Sequence, residues 1–235
     1  MRNKLVFIVS MLAASAITPV VHASQYFNEP RVGVEAIQTN QDFKNGFGKK
    51  LFKKNPQNYS LFAGFKFSEY FGAEVGYEFQ PKKTRDFVQL VAGDYIPGGI
   101  LIEGNAFNNI TGITYKSRHP YLGLFGEHVT HLSKYKVRLQ ALIGVSLSNV
   151  TAQYVRARDN AGVIPNGLRT YSKSKMVPMV KLSAIGEITH NVGVRVSLNY
   201  RNMSAFKMVS AQSNTAIIKM KDSYGIGLGL TYLFS

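Results

Sequence analysis

The sequence predicts an all-β fold: an eight-stranded antiparallel up-and-down transmembrane β-barrel, with ten strands as the alternative count. Three observations predict it. The chain closes on S-Y-G-I-G-L-G-L-T-Y-L-F-S from Ser223, with Tyr224, Ile226, Leu228, Leu230, Tyr232 and Phe234 on one face. Gly225, Gly227, Gly229 and Thr231 fall on the other. That second face is nearly bare backbone, as a narrow filled lumen requires, and the length suits the 9–11 residues of a tilted membrane strand. The same alternation recurs in seven earlier segments, and the connections between segments alternate short and long.

Each strand follows from period-2 patterning. The first covers about Arg31 to Gln38, with Val32, Val34 and Ala36 opposing Arg31, Gly33 and Glu35. The second, Tyr59 to Phe67, sets Tyr59, Leu61, Ala63, Phe65 and Phe67 against Ser60, Phe62, Gly64 and Lys66. The third, Phe71 to Gln80, alternates most cleanly: Phe71, Ala73, Val75, Tyr77 and Phe79 against Gly72, Glu74, Gly76 and Glu78. A fourth, roughly Tyr121 to Val129, is less regular. The fifth is Val137 to Leu147, the sixth about Val180 to Ile188, the seventh Val192 to Tyr200, and the terminal segment is the eighth.

Ser68–Tyr70, Thr130–Lys136 and Thr189–Asn191 are the short connections, and Thr39–Asn58, Pro81–Pro120, Asn149–Met179 and Asn202–Asp222 the long ones. In an outer-membrane barrel the short turns are periplasmic and the long loops extracellular. Within Pro81–Pro120, Ile110 to Tyr115 reads as part of an extended loop hairpin; as a ring strand it would give the ten-strand count.

The inward parity carries charge. Glu35, Glu74, Glu78, Glu127 and Glu187 share it with Lys66, Arg138, Lys181, Arg195 and Arg201. Buried charges need partners, and an eight-stranded interior is just wide enough for side chains. The pattern therefore predicts a salt-bridge network filling the lumen, either as a static polar plug or as a gated narrow conduit.

The amino terminus reads as a secretory signal, residues 1–23: basic Met1-Arg2-Asn3-Lys4, an apolar run from Leu5 to Val21, and an A-x-A-like site at Val21-His22-Ala23. Residues 24–235 are then one barrel domain with four long basic extracellular loops. No later run approaches the ~20 apolar residues of a spanning helix. The chain has no cysteine, and a barrel closed by its own hydrogen bonds needs no disulfide.

With these residues in view, the chain resembles the OmpA-like transmembrane domain family, without its peptidoglycan-binding domain. Gly72-Ala-Glu-Val-Gly-Tyr77 is similar to the family's third strand, with Glu74 at its lumenal glutamate. Ala184-Ile-Gly-Glu-Ile-Thr189 is similar to its sixth, with Glu187 at the second lumenal acid, and Gly193 to Tyr200 to its seventh, with Arg195 at the lumenal arginine. The terminal Gly229-Leu-Thr-Tyr-Leu-Phe234 resembles the assembly signal read by the barrel assembly machinery, carried here by Gly229, Tyr232 and Phe234. The chain departs from the family in its fourth strand, where Gly126-Glu127 stands in place of a lysine, so the family's proposed lysine gate does not transfer directly. It ends on Ser235 rather than an aromatic, and anchoring to the cell wall is not expected. The resemblance implies a surface structural and interaction protein acting in adhesion or invasion of host cells, with a role in envelope integrity. A small porin is the alternative.

Charge concentrates in the loops. The precursor carries a formal +15. In the first long loop Lys44, Lys49, Lys50, Lys53 and Lys54 stand against Asp42, and in the third Arg156, Arg158, Arg169, Lys173 and Lys175 stand against Asp159. A basic exterior attracts polyanions: lipopolysaccharide phosphates and outer-membrane lipid, host surface polyanions or acidic host proteins. Lys49-Lys50-Leu51-Phe52-Lys53-Lys54 resembles a heparin-type patch and equally suits the anionic headgroups of its own membrane. Nucleic acid is not an expected partner, because the chain shows no recognition fold.

A lipid A-modifying enzyme is the remote alternative. Glu127-His128-Val129-Thr130-His131 holds the residue types of a hydrolase, but neighbours on a strand point to opposite faces, so Glu127 cannot orient His128. Neither catalysis nor a cofactor is expected. His128 and His131 lack the spacing of a metal site.

Overall fold

The computed structural model describes residues 29–44, 55–89, 95–96, 100–101, 109–133, 135–156, 167–204, 206–209 and 216–234. Residues 1–23, read from sequence as a secretory signal, lie outside the described residues. Among those described, all regular structure is strand: β1 (Arg31–Phe43), β2 (Gln57–Lys66), β3 (Phe71–Phe79), β4 (Lys83–Gln89), β5 (Tyr95–Ile96), β6 (Ile100–Leu101), β7 (Asn109–Leu132), β8 (Tyr135–Arg156), β9 (Gly167–Glu187), β10 (Val192–Arg201), β11 (Lys207–Val209) and β12 (Ala216–Leu233).

Eight of these form the barrel, in the order β1-β2-β3-β7-β8-β9-β10-β12, and β12 returns to pair with β1. Closure leaves no sheet edge in the membrane, where an unpaired backbone group would find no water. One circuit of the registers runs from Arg31 through Gly64, Glu74, Gly123, Gly144, Met179, Arg201 and Ser223, and re-enters β1 at Gln41. The return is displaced ten residues from Arg31 to Gln41. For eight strands that stagger sets a tilt of about 40°.

The outer wall is apolar. Val34, Leu61, Leu122, Leu124, Ile143, Leu182, Leu198, Ile226 and Leu228 are all exposed. Aromatic residues ring both ends, Phe67, Tyr70, Phe71, Tyr135, Tyr232 and Phe234 beside the short turns and Tyr59, Tyr200 and Tyr224 beside the long loops. Such girdles mark the two membrane interfaces. Tyr59 and Phe79 pack at 5.9 Å, Tyr232 and Phe234 at 4.9 Å.

The strands overrun the sequence-based boundaries on the long-loop side. β7 begins at Asn109 rather than Tyr121, β8 continues to Arg156, β9 begins at Gly167 and β12 at Ala216. The long loops are correspondingly shorter than the sequence suggests. Beyond the membrane the outer face need not be apolar, because water satisfies it, so the lipid-facing stripe stops where lipid stops even though Tyr115, Val150 and Ala152 stay buried. Ile110 to Tyr115 lies on this extension of β7 and pairs with β4 from Lys83↔Tyr115 to Gln89↔Asn109. That pairing is the extended hairpin, and the ring closes with eight strands. The Thr130–Lys136 connection is tighter than expected, since β7 and β8 remain paired to Leu132↔Tyr135.

Candidate functional site

The lumen begins with glycine. On the inner face Gly33 pairs with Phe62, Gly72 with Phe125 and Gly76 with Tyr121. A Cβ on any of the three would sit 2.2–2.3 Å from its partner's ring. The missing side chains let the rings lie flat across the neighbouring strand, and Phe62, Tyr121, Phe125, Leu142 and Met179 form one buried cluster. Cations cover the rings. The Arg195 guanidinium lies 4.2 Å from the Phe62 centroid, Arg31 4.2 Å from Phe125, and Lys181 5.1 Å from Phe62. Desolvated contacts of this kind are the strong class of cation–π interaction.

Carboxylates complete the filling in three tiers. At the centre, Arg195 donates through Nη1 to Glu74 at 2.8 Å and through Nη2 at 3.4 Å. Ser183 and Gln140 hold the same guanidinium. Lys181 bridges Glu35 at 2.5 Å and Glu74 at 3.6 Å, and the Tyr121 hydroxyl donates to Glu74 at 2.9 Å. Toward the long loops, Arg201 makes a two-pronged contact with Glu78, which also accepts from Asn58 at 2.7 Å. His119 and Ser148 are hydrogen-bonded beside that pair at 3.0 Å. Toward the short turns, Glu127 takes Arg31 at 2.5 Å, Arg138 at 3.2 Å and Lys66 at 3.4 Å, while Arg138 also reaches Glu187 at 2.5 Å and Glu29.

The structure thus brings Glu35, Lys66, Glu74, Glu78, Glu127, Arg138, Lys181, Glu187, Arg195 and Arg201 into one lumen, each within reach of an opposite charge. Two members escaped sequence reasoning. Arg31 is 1% exposed and shares the parity of Glu35, so alternation alone could have included it. Glu29 precedes β1 in a left-handed conformation (φ 64°), and no periodic signal reaches it. In place of the fourth-strand lysine that the resemblance would require, the central cation between two acids is Lys181 on β9.

Other sequence candidates fall elsewhere. Glu127 is 5% exposed inside the barrel, whereas His128 is exposed on the outer wall, so they share no site. No metal-holding cluster occurs among the described residues. Gly229 faces the lumen, where a Cβ would lie 2.6 Å from Glu35 Cγ, while Tyr232 and Phe234 face outward. Lys44 is exposed at the end of β1, and Lys173 and Lys175 are half-buried on the β9 extension. The backbones of Arg156 and Arg169 lie in paired extensions of β8 and β9. Lys49, Lys50, Lys53, Lys54 and Arg158 lie outside the described residues.

Residues 28–235 match the family described as OmpA-like transmembrane domain. The chain belongs to that family. It is an outer-membrane β-barrel of the OmpA-like type. No curated protein sequence matches it. Among solved structures, the chain is similar to Neisserial surface protein A at 13% identity and a TM-score of 0.52, covering 87% of this chain and 97% of that one. This likeness shows the fold. Ail, the attachment invasion locus protein of Yersinia pestis in complex with the heparin analogue sucrose octasulfate, is 13% identical with a TM-score of 0.47, over 88% and 98% of the two chains. The outer membrane protease OmpT from Escherichia coli is 13% identical at 0.40, over 88% and 94%. Neither of these two bears on the function of this chain.

Proposed function

We propose that the protein is a non-catalytic surface interaction protein. Its basic extracellular segments engage polyanions, host surface glycans or proteins among them, while the barrel supports envelope integrity. The observation that carries this reading is where the charge goes. Cations in the lumen are matched by carboxylates, and the outer wall is apolar. Arg2 and Lys4 of the segment read as a signal account for two of the fifteen net positive charges; the rest must therefore sit largely beyond the membrane, where they attract anions over a Debye length of roughly 8–10 Å. Side chains with essentially no exposure fill the lumen, which supports a closed barrel over a small porin. The outward Tyr232 and Phe234 support reading the terminal strand as a signal to the assembly machinery.

The test is heparin binding by the refolded barrel across a salt series, alongside a variant carrying Glu at Lys49, Lys50, Lys53 and Lys54. Binding that weakens steeply with salt, and falls at least about tenfold in the variant, is the expected result. Equal binding by both proteins would remove the first long loop from the account.

A further inference from the structure

Inside the barrel, level with the Glu78–Arg201 pair, lies a small cavity of about 10 Å³. Thr39, Asn58, His119, Arg201, Met203 and Ser223 are among the residues that line it. Its polar walls are buried: Asn58 is 2% exposed, Arg201 3% and Thr39 5%.

Three polar atoms of this lining have no hydrogen-bond partner among the described residues: Thr39 Oγ1, Asn58 Oδ1 and Arg201 Nε. Glu78 sets the direction of two of them. Both Nη groups of Arg201 face that carboxylate, which turns the Nε edge away from it. The Asn58 amide donates through Nδ2 to Glu78 Oε1 at 2.7 Å. Turning the amide over would set its oxygen against a carboxylate oxygen, so Oδ1 is the end left for the cavity. A buried polar group without a partner is costly, and three around one cavity define a site.

Their chemistry selects the occupant. Arg201 Nε–H only donates, Asn58 Oδ1 only accepts, and the Thr39 hydroxyl does either. An anion would pair with Arg201 but meet the lone pairs of Asn58. A metal cation would suit Asn58 and Thr39 but be repelled by the guanidinium. Water donates twice and accepts twice, so one molecule serves all three atoms. The size agrees, since a polar cavity of roughly 10–15 Å³ with two to four partners holds one water.

We infer that this cavity is a binding site for a single ordered water bridging Arg201, Asn58 and Thr39. The water completes the shell of the Glu78–Arg201 pair and ties β10, β2 and β1 together at the long-loop end of the lumen. Met203, 1% exposed, forms part of the wall. Its turn is fixed by the Phe206 amide donating to Met203 O at 2.8 Å and the Met220 amide donating to Phe206 O at 3.1 Å. A water walled in this way tumbles with the protein instead of exchanging freely. The inference does not depend on the polyanion reading of the loops.

The test is solution NMR of the refolded, perdeuterated barrel in detergent micelles, following cross-relaxation from water to the Arg201 Nε–H. The wild type should show a signal with the sign of a water that tumbles with the protein. Thr39→Val removes a hydroxyl whose own exchange with bulk would relay a similar signal, but keeps the cavity and two partners, so the signal should persist. Thr39→Leu removes the same hydroxyl and fills the cavity, so the signal should be lost while the Nε–H resonance remains. No signal in the folded wild type would overturn the inference. Loss of the signal in Thr39→Val, or its survival in folded Thr39→Leu, would do the same. An Nε–H shift that titrates with chloride or with sodium would also overturn it, in favour of a bound ion. If Thr39→Leu does not fold, the wild type and Thr39→Val decide the question.

Discussion

Below the ring of Tyr59, Tyr200 and Tyr224 the strands have an outer face in lipid and a sealed inner one; above it, the outer face of the β7, β8 and β9 extensions meets water, while Tyr115, Val150, Ala152 and Val177 stay buried. The consequences for charge are opposite. In the lower region Glu74 is fully buried and shared between Arg195, Lys181 and Tyr121. In the upper region Lys44 and Arg118 are exposed, where an ionised side chain costs little. The lumen spends its charges on one another, and the exterior keeps an excess for use. A strongly basic protein can thus have a carboxylate partner for every buried cation described in its lumen.

The largest expected effect lies at the centre of the lower region. Glu74→Ala leaves the buried Arg195 and Lys181 to share Glu35 as their one remaining carboxylate among the described residues. Removing one partner of a buried pair typically costs about 3–5 kcal/mol, read as a lower urea midpoint in lipid or detergent. The quadruple Lys→Glu variant in the first long loop should by contrast move stability by less than about 0.5 kcal/mol while altering heparin binding. If the two substitutions destabilised the barrel equally, the contrast between regions would fail.

The smallest effect lies at the boundary. Glu29 is 36% exposed on its side chain and reaches into the short-turn mouth to Arg138. Burial alone would raise its pKa, but the Arg138 hydrogen bond and charge, with Lys66 and Lys136 behind them, hold it below the usual carboxylate value. A lowered pKa contributes stability at neutral pH that is lost as pH falls through the folded value. Glu29→Gln should therefore cost under about 1 kcal/mol at pH 7, and the difference from wild type should shrink on acidification. A difference that grows with acid would contradict the pairing.

Much of the lower region was legible in the sequence, because lipid outside and a packed lumen inside enforce period-2 alternation. Parity placed Glu35, Lys181 and Arg195 on one face, yet it could not say who pairs with whom. Arg195 on β10 meets Glu74 on β3, 121 residues away, through a ten-residue stagger that no local pattern encodes. The upper strands were read as loops because, past the membrane, the outward face is no longer a continuous apolar stripe, although Tyr115, Val150 and Val177 are buried there.

Single-channel recording of the refolded wild-type barrel in a planar bilayer decides whether the lumen is closed. A silent baseline is expected, with the lumen closed by Glu74–Arg195, Glu78–Arg201 and Glu127–Arg31. Reproducible ion-conducting steps from correctly folded protein would contradict it, and would make the tiers of ion pairs a permeation path instead of a seal.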